Sequence, residues 1–261
     1  MSREAIEDYL FPALLLVIAI AGWEAYVRIA HVPSFLLPAP SEVIVTLAHD
    51  WPTLFSSLLV TLTTTFEALL AAMIGGVALA LIFHLWRPLE RAFFPFAVIL
   101  QVTPVISIAP LLLVYLSSGE AVLVCAFLVA FFPILSNTAL GLASADHNLI
   151  DLFELYGAST WQQLRLLRMP AALPYFLGGL RIGGGLSLVG AIVAEIAAGS
   201  AGSGSGLAYR IVESGFRLNI PRMFAALFLI SITGILIFLF FTAVTYMLLH
   251  RWHDSMRARE R

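Results

Sequence analysis

The groups with the most chemical potential in this chain are charged side chains embedded in apolar runs. Glu67 and Glu195 lie inside long hydrophobic stretches, and Glu24 and Arg181 lie within or near others. An ionised group in such surroundings is costly unless it meets water, a counter-charge or hydrogen-bond donors, so each is a candidate for solute contact or acid–base work. Glu67 follows Thr63, Thr64 and Thr65, a polar face expected to turn toward protein. Glu195 follows Gly183-Gly184-Gly185, Ser187 and Gly190, small residues that permit close helix approach at an internal seam. Gln101, Thr103 and Ser107 precede Pro110, and Pro104 frees a backbone carbonyl, so this stretch either offers partners to a polar solute or is a satisfied kinked helix. Glu24 and Arg181 are expected near span ends, with their heads reaching toward water.

A second concentration of polar residues runs from Ala143 to Pro174. Asp146 and Asn148 can cap a short helix that continues through Glu154, and Gly157 permits a turn that a side-chain-bearing residue would resist. From Ser159 to Met169, Trp161, Leu164, Leu167 and Arg168 recur at helical spacing while Gln162, Gln163 and Arg165 fall on other faces, an amphipathic pattern. Pro170 and Pro174 are expected to break that helix and turn the chain. The pattern alone fits a docking segment or an ordinary amphipathic connection packed on its own bundle.

The elements that must carry these residues follow from composition. Of 261 residues, 61% are hydrophobic and 11% charged, too few charges to cover a water-soluble globule of this size. Six spans of about 20 or more mostly apolar residues are expected: Tyr9 to Ile29, Leu58 to His84, Phe93 to Leu116, Ala121 to Leu142, Tyr175 to Gly199 and Met223 to His250. The acid-rich start and the length of the first run argue for a retained helix rather than a cleaved signal. Between the first two spans, Ser41 reads as the N-cap of a surface helix. The GSAGSGSG run from Gly199 to Gly206 ends the fifth span, either as a turn at the outer face or as a flexible linker.

With the N-terminus inside, Arg3, Arg87, Arg91, Arg165, Arg168, Arg251, Arg257, Arg259 and Arg261 fall on the inner side, against Arg28, Arg210, Arg217 and Arg222 outside. That bias predicts two cytoplasmic termini, and it leans on the C-terminal tail. A net charge of −2 with no basic run gives no nucleic-acid footprint. The single cysteine, Cys125, is expected to be a small packing residue, and the six histidines lack metal-ligand spacing, so no metal site is expected. Two other classes remain open at this level: a membrane-embedded enzyme, or a proton-coupled secondary transporter, using Glu67 or Glu195.

The loop between the fourth and fifth spans resembles that of permease subunits of bacterial ATP-binding-cassette importers, which carry E-A-A, three residues, G, nine residues, I-x-L-P. Asp151, Leu152, Phe153, Gly157, Leu167, Met169 and Pro170 occupy those positions at full spacing. The nitrate, sulfonate and taurine branch is the nearest in pattern, through Gly157-Ala158-Ser159, Ala172-Leu173-Pro174 and Gly179-Leu180-Arg181-Ile182-Gly183. Further correspondences, from Leu36-Leu37-Pro38 through Thr103-Pro104 and Phe132-Pro133 to Ala194-Glu195, cover most of the chain. Aspartate replaces glutamate at Asp151, Leu152 and Phe153 replace two alanines, and Thr64 stands where the branch often has arginine.

The resemblance implies an all-α membrane bundle of about six helices with the type I importer permease fold, one domain spanning residues 1–261 with a cytoplasmic coupling segment at 143–174. It implies a bacterial inner-membrane permease that dimerises, with itself, and passes a small polar or anionic solute, of sulfonate, nitrate, taurine or vitamin-precursor type. An external binding protein would deliver the solute, and a separate cytoplasmic ATPase would use ATP and Mg, since this chain has no G-x-x-x-x-G-K-[ST] loop and is expected to bind no cofactor. Asp151, Glu154, Gly157, Ala158, Trp161 and Pro170 become the candidates for ATPase coupling, with Trp161 as a packing anchor. Glu67, Gln101, Thr103, Ser107, Ser187 and Glu195 become the candidates for the translocation pathway.

Overall fold

A computed structural model describes residues 3–199 and 204–250, and the described chain is a helical bundle without strands. The elements are α1 (Arg3–Ile29), α2 (Pro40–His49), α3 (Trp51–Leu85), α4 (Arg87–Val102), α5 (Val105–Tyr115), α6 (Ser118–Ala143), α7 (His147–Leu155), α8 (Thr160–Gln163), α9 (Met169–Ala198), α10 (Leu207–Phe216) and α11 (Ile220–Leu249). Five are long and apolar enough to cross a membrane, counting 160–198 as one run, and α4 with α5 makes a sixth if that bent pair is one span. Each of the six expected spans therefore has a helical counterpart. Leucine, phenylalanine and isoleucine side chains cover the outside of the bundle, the arrangement that lipid as solvent demands.

The third expected span is corrected by the structure. Phe93 to Leu116 is not one kinked rod: α4 ends at Val102, α5 starts at Val105, and their axes differ by 99°. Pro104 is the N-cap of α5 in extended geometry, and Thr103 before it is also extended, as the residue preceding a proline prefers. After the corner α5 lies against α6 and α9, where Ala109 is buried with Val122, Ala126 and Ala191.

The centre of the bundle is the α6–α9 pair, flanked by α3 and α11. Gly179, Gly183 and Gly190 put one face of α9 directly on α6. A Cβ at Gly179 would stand 2.9 Å from the Pro133 carbonyl oxygen, and one at Gly190 2.9 Å from the Ala126 Cα. Ile134 of α6 then reaches a core shared with Leu69 and Ala72 of α3, Leu180 and Leu188 of α9, and Ile237 and Phe241 of α11. Cys125 is fully buried among small side chains, the packing role expected of it.

The short helix after α1 begins with Pro40 at its first position and Ala39 as N-cap, so Ser41 is not the cap. Its backbone N–H and hydroxyl instead both donate to Glu24 of α1, at 3.0 and 2.8 Å. Glu24 also accepts from Arg28. The carboxylate satisfies an N–H that proline and alanine cannot cap.

Replacing Gly179 or Gly190 by valine should lower the thermal midpoint of the purified chain without changing its helix content, by an overpacking cost of about 1–3 kcal/mol. Valine at Gly178, where a Cβ meets nothing, is the control and should leave the melting curve in place.

Candidate functional site

The two groups of candidate residues stand at opposite ends of α9. At one end, Asp146 caps α7 by accepting from the Asn148 N–H at 2.8 Å. The helix closes in a Schellman turn: the Gly157 N–H donates to the Glu154 carbonyl and the Ala158 N–H to the Phe153 carbonyl, each at 2.9 Å. Gly157 sits at φ +68°, the left-handed conformation this turn requires. Ser159 then starts α8 through a reciprocal capping box with Gln162.

This segment is locally ordered yet almost unpacked. α7 has no extended packing against any other described helix, and Leu155 and Tyr156 are 84% exposed. Asp151, Glu154 and Pro170 are exposed as well, and Ala158 is half-buried. Trp161, expected as a packing anchor, is 63% exposed, so within this chain it anchors nothing.

The expected break at Pro170 does not occur. Residues 164–168 form a π-helical turn that joins α8 to α9, and Pro174 lies inside α9. In a regular helix the proline ring at 170 would strike the carbonyl of residue 166, and the wider turn, common where a helix absorbs an irregularity, lets the chain continue. One helical run therefore extends from Thr160 to Ala198.

At the far end of that run, Glu195 is 5% exposed. Its Oε1 accepts from the Thr61 hydroxyl at 2.7 Å and its Oε2 from the Ala208 N–H at 3.0 Å, while Thr61 Oγ1 also accepts from the Leu207 N–H at 2.8 Å. Glu195 and Thr61 thus cap α10, whose own N-cap is Gly206, a residue with no side chain for the task. A Cβ at Gly206 would fall inside the Glu195 carboxylate, so any side chain there would have to displace that cap. Further along α10, Arg210 donates to Ser57 and pairs with Glu213 at 2.9 Å. The Arg210 hydrogen bond holds the Glu213 carboxyl below the usual carboxylate range.

The remaining candidates are dispersed. Ser187 is buried and donates to the Thr65 carbonyl at 2.8 Å, bolting α9 to α3. Gln101 and Thr103 line a cavity of about 340 Å³ at the α4–α5 corner, with Ser107 exposed one turn beyond. Glu67 is exposed on α3 rather than turned into this chain's interior. Arg181 lies over the Phe238 ring at 5.6 Å, within the helical run Thr160–Ala198. Thr64 and Glu195 border a cavity of about 330 Å³ with Ser118 and Gly119, and no described residue lining it is cationic. Thr61, Gly206 and the α10 amides escaped the sequence reading. Their signal was a helix start, Gly206-Leu207-Ala208, with no capping side chain of its own.

A helical membrane bundle with an exposed, capped helix-turn-helix at one end is a specific arrangement. Residues 69–254 match the family described as binding-protein-dependent transport system inner membrane component. The chain belongs to that family. This permease is 34% identical to the riboflavin transport system permease protein RibX of Chloroflexus aurantiacus, over 96% of its own length and 94% of the relative's. It is 34% identical to the formylaminopyrimidine transport permease protein ThiX of Halalkalibacterium halodurans, over 90% and 91%. The fold matches a solved amino acid ABC transporter crystallised with histidines, with a TM-score of 0.63 and 17% identity, over 78% of this chain and 96% of that one. The permease is therefore a multi-pass membrane protein with a transport role. The membrane-enzyme and proton-coupled readings through Glu67 or Glu195 are not supported, since the family and these relatives are components of binding-protein-dependent or named transport systems.

Glu195→Ala should loosen α10 selectively. Amide exchange over 207–216 should accelerate by about tenfold, the consequence of a lost buried cap near 1.4 kcal/mol, while α6 is unaffected. Gly206→Ala should act in the same direction by displacing the carboxylate. Hydrogen–deuterium exchange read by mass spectrometry checks both.

Proposed function

We propose that this permease forms, with a second copy of itself, the membrane pathway of an ATP-driven importer whose ATPase is a separate cytoplasmic chain. The observation that carries the reading is the α7–α8 segment, held rigid by the turn at Gly157 and the caps at Asp146 and Ser159, yet leaving Leu155, Tyr156 and Trp161 uncovered. Such a segment suits a cleft in another protein, with Asp151 and Glu154 as charge contacts and Pro170 at the joint with α9. ATP and Mg would be bound by that partner. The end bearing α7 faces the cytoplasm in this reading, in keeping with the arginine bias of the sequence; the C-terminal tail that dominates the bias lies outside the described residues.

An exposed carboxylate at Glu67, about 24 Å along α3 from Trp51, is costly against lipid and supports a covering second copy or a wet pathway there. Gln101, Thr103 and Ser107 at the α4–α5 corner supply further pathway groups, with Ser187 and Glu195 holding the helices that border it. The solute is a small polar one of the vitamin or vitamin-precursor type, delivered by an external binding protein. The names of the two relatives at 34% identity, and the lack of a cationic side chain among the described residues that line the cavity beside Thr64, both favour that class over a strong anion.

In reconstituted transporter, Gly157→Pro and Asp151→Arg should each reduce uptake and solute-stimulated ATP hydrolysis by about tenfold or more, with the permease still monodisperse. Proline cannot adopt φ +68° and removes the N–H bonded to Glu154. Normal coupling in both variants would rule out this segment as the docking site.

A further inference from the structure

At the α7 end of the bundle, a cleft of about 680 Å³ opens between the end of α3, the start of α4, the end of α6 and α7. Its polar lining is one-sided: Arg87, Arg91, Arg168, His84 and His147, against the single acid Glu90. None of the three arginines makes an ion pair with any described residue. Arg168 is held in place by a hydrogen bond to the Leu142 carbonyl at 3.4 Å, at the end of α6. Three guanidiniums lining one cleft, with Glu90 as the single described acid beside them, form a concave site for a phosphate-type oxyanion, which accepts several N–H donors at once.

The rest of the cleft indicates the source of that oxyanion. Phe94, Pro95 and Ala143 give it an apolar wall beside the arginines. Leu85 and Trp86, at the α3–α4 junction that borders the cleft, are 56% and 59% exposed, as side chains are at the level where bilayer meets water. A ligand that is anionic at one end and apolar at the other matches both walls.

We propose that this cleft binds the phosphate headgroup of an anionic phospholipid, with the glycerol and upper acyl chain against Phe94 and Pro95. The site is separate from the exposed faces of α7 and α8 and stands whether or not the importer reading holds. Bound lipid would tether the starts of α4 and α7 to the bilayer surface and screen the three arginines from one another.

The test uses the full-length permease in nanodiscs of phosphatidylglycerol and phosphatidylcholine, followed by detergent extraction and native mass spectrometry of retained lipid. Wild type should retain phosphatidylglycerol preferentially, and Arg87→Gln with Arg91→Gln should reduce that retention by about tenfold. The lysine pair at the same positions keeps the charge and should keep most of the retention. Arg165→Gln, outside the cleft, should change nothing. Equal retention of the two lipids, unchanged retention in the glutamine pair, or loss in the lysine pair equal to that in the glutamine pair overturns the proposal. Displacement by millimolar inorganic phosphate would assign the cleft to a soluble anion, and loss of lipid on binding an ATPase subunit would assign it to a protein surface. Either result overturns the lipid assignment.

Discussion

Inside a bilayer a backbone N–H or C=O has no water to turn to, and that constraint shapes the bundle at each place where a helix starts, stops or bends. Two carboxylates carried on long apolar helices answer it in the same way. Glu24 of α1 accepts from the first turn of α2, and Glu195 of α9 accepts from the first turn of α10. Neither surface helix has a capping side chain of its own, since their N-caps are Ala39 and Gly206. Other hydroxyls within spans donate to carbonyls: Thr65 to Thr61, Thr138 to Ile134, Thr233 to Leu229, and Ser187 across to Thr65. Polar residues in this permease are first of all the means by which apolar helices end and meet.

Close packing of α6 on α9 follows from a second economy of side chains. Removing Cβ atoms at Gly179, Gly183 and Gly190 brings backbone against backbone where no hydrophobic drive separates lipid-facing from helix-facing leucine. The pair then holds α3 on one side and α11 on the other through Ile134, Leu188 and Phe241. α1 and α4 remain at the margin, with few buried residues and wide exposed faces.

The helical membrane architecture was legible because a span needs only length and apolarity, both of which are local. The Gly157 turn and the Asp146 cap were legible for the same reason, since each is decided within six residues. The two prolines were misjudged in opposite directions. Pro104 breaks its helix by 99° because nothing near it widens the turn and the following residues find a packing site on α6 and α9. Pro170 breaks nothing, because the preceding π turn makes room for its ring. Pairings such as Glu195 with Thr61 and the α10 amides were invisible in sequence. They join positions 134 and 13 residues apart, and only the fold brings these together. The exposure of Glu67 and Trp161 was equally illegible, since an apolar or polar neighbourhood in sequence does not say which side of a helix a partner will cover.

The unbroken run from Thr160 to Ala198 has a geometric consequence. At about 1.5 Å per residue its 39 residues make a rod about 60 Å long. Taken as a lever of that length, each degree of tilt about one end sweeps the other through about 1 Å. Because Glu195 grips α10 near the far tip, small angular changes at Trp161 arrive on the opposite face as displacements comparable to a bond length. The rod is in that sense a pointer, amplifying what happens at its base.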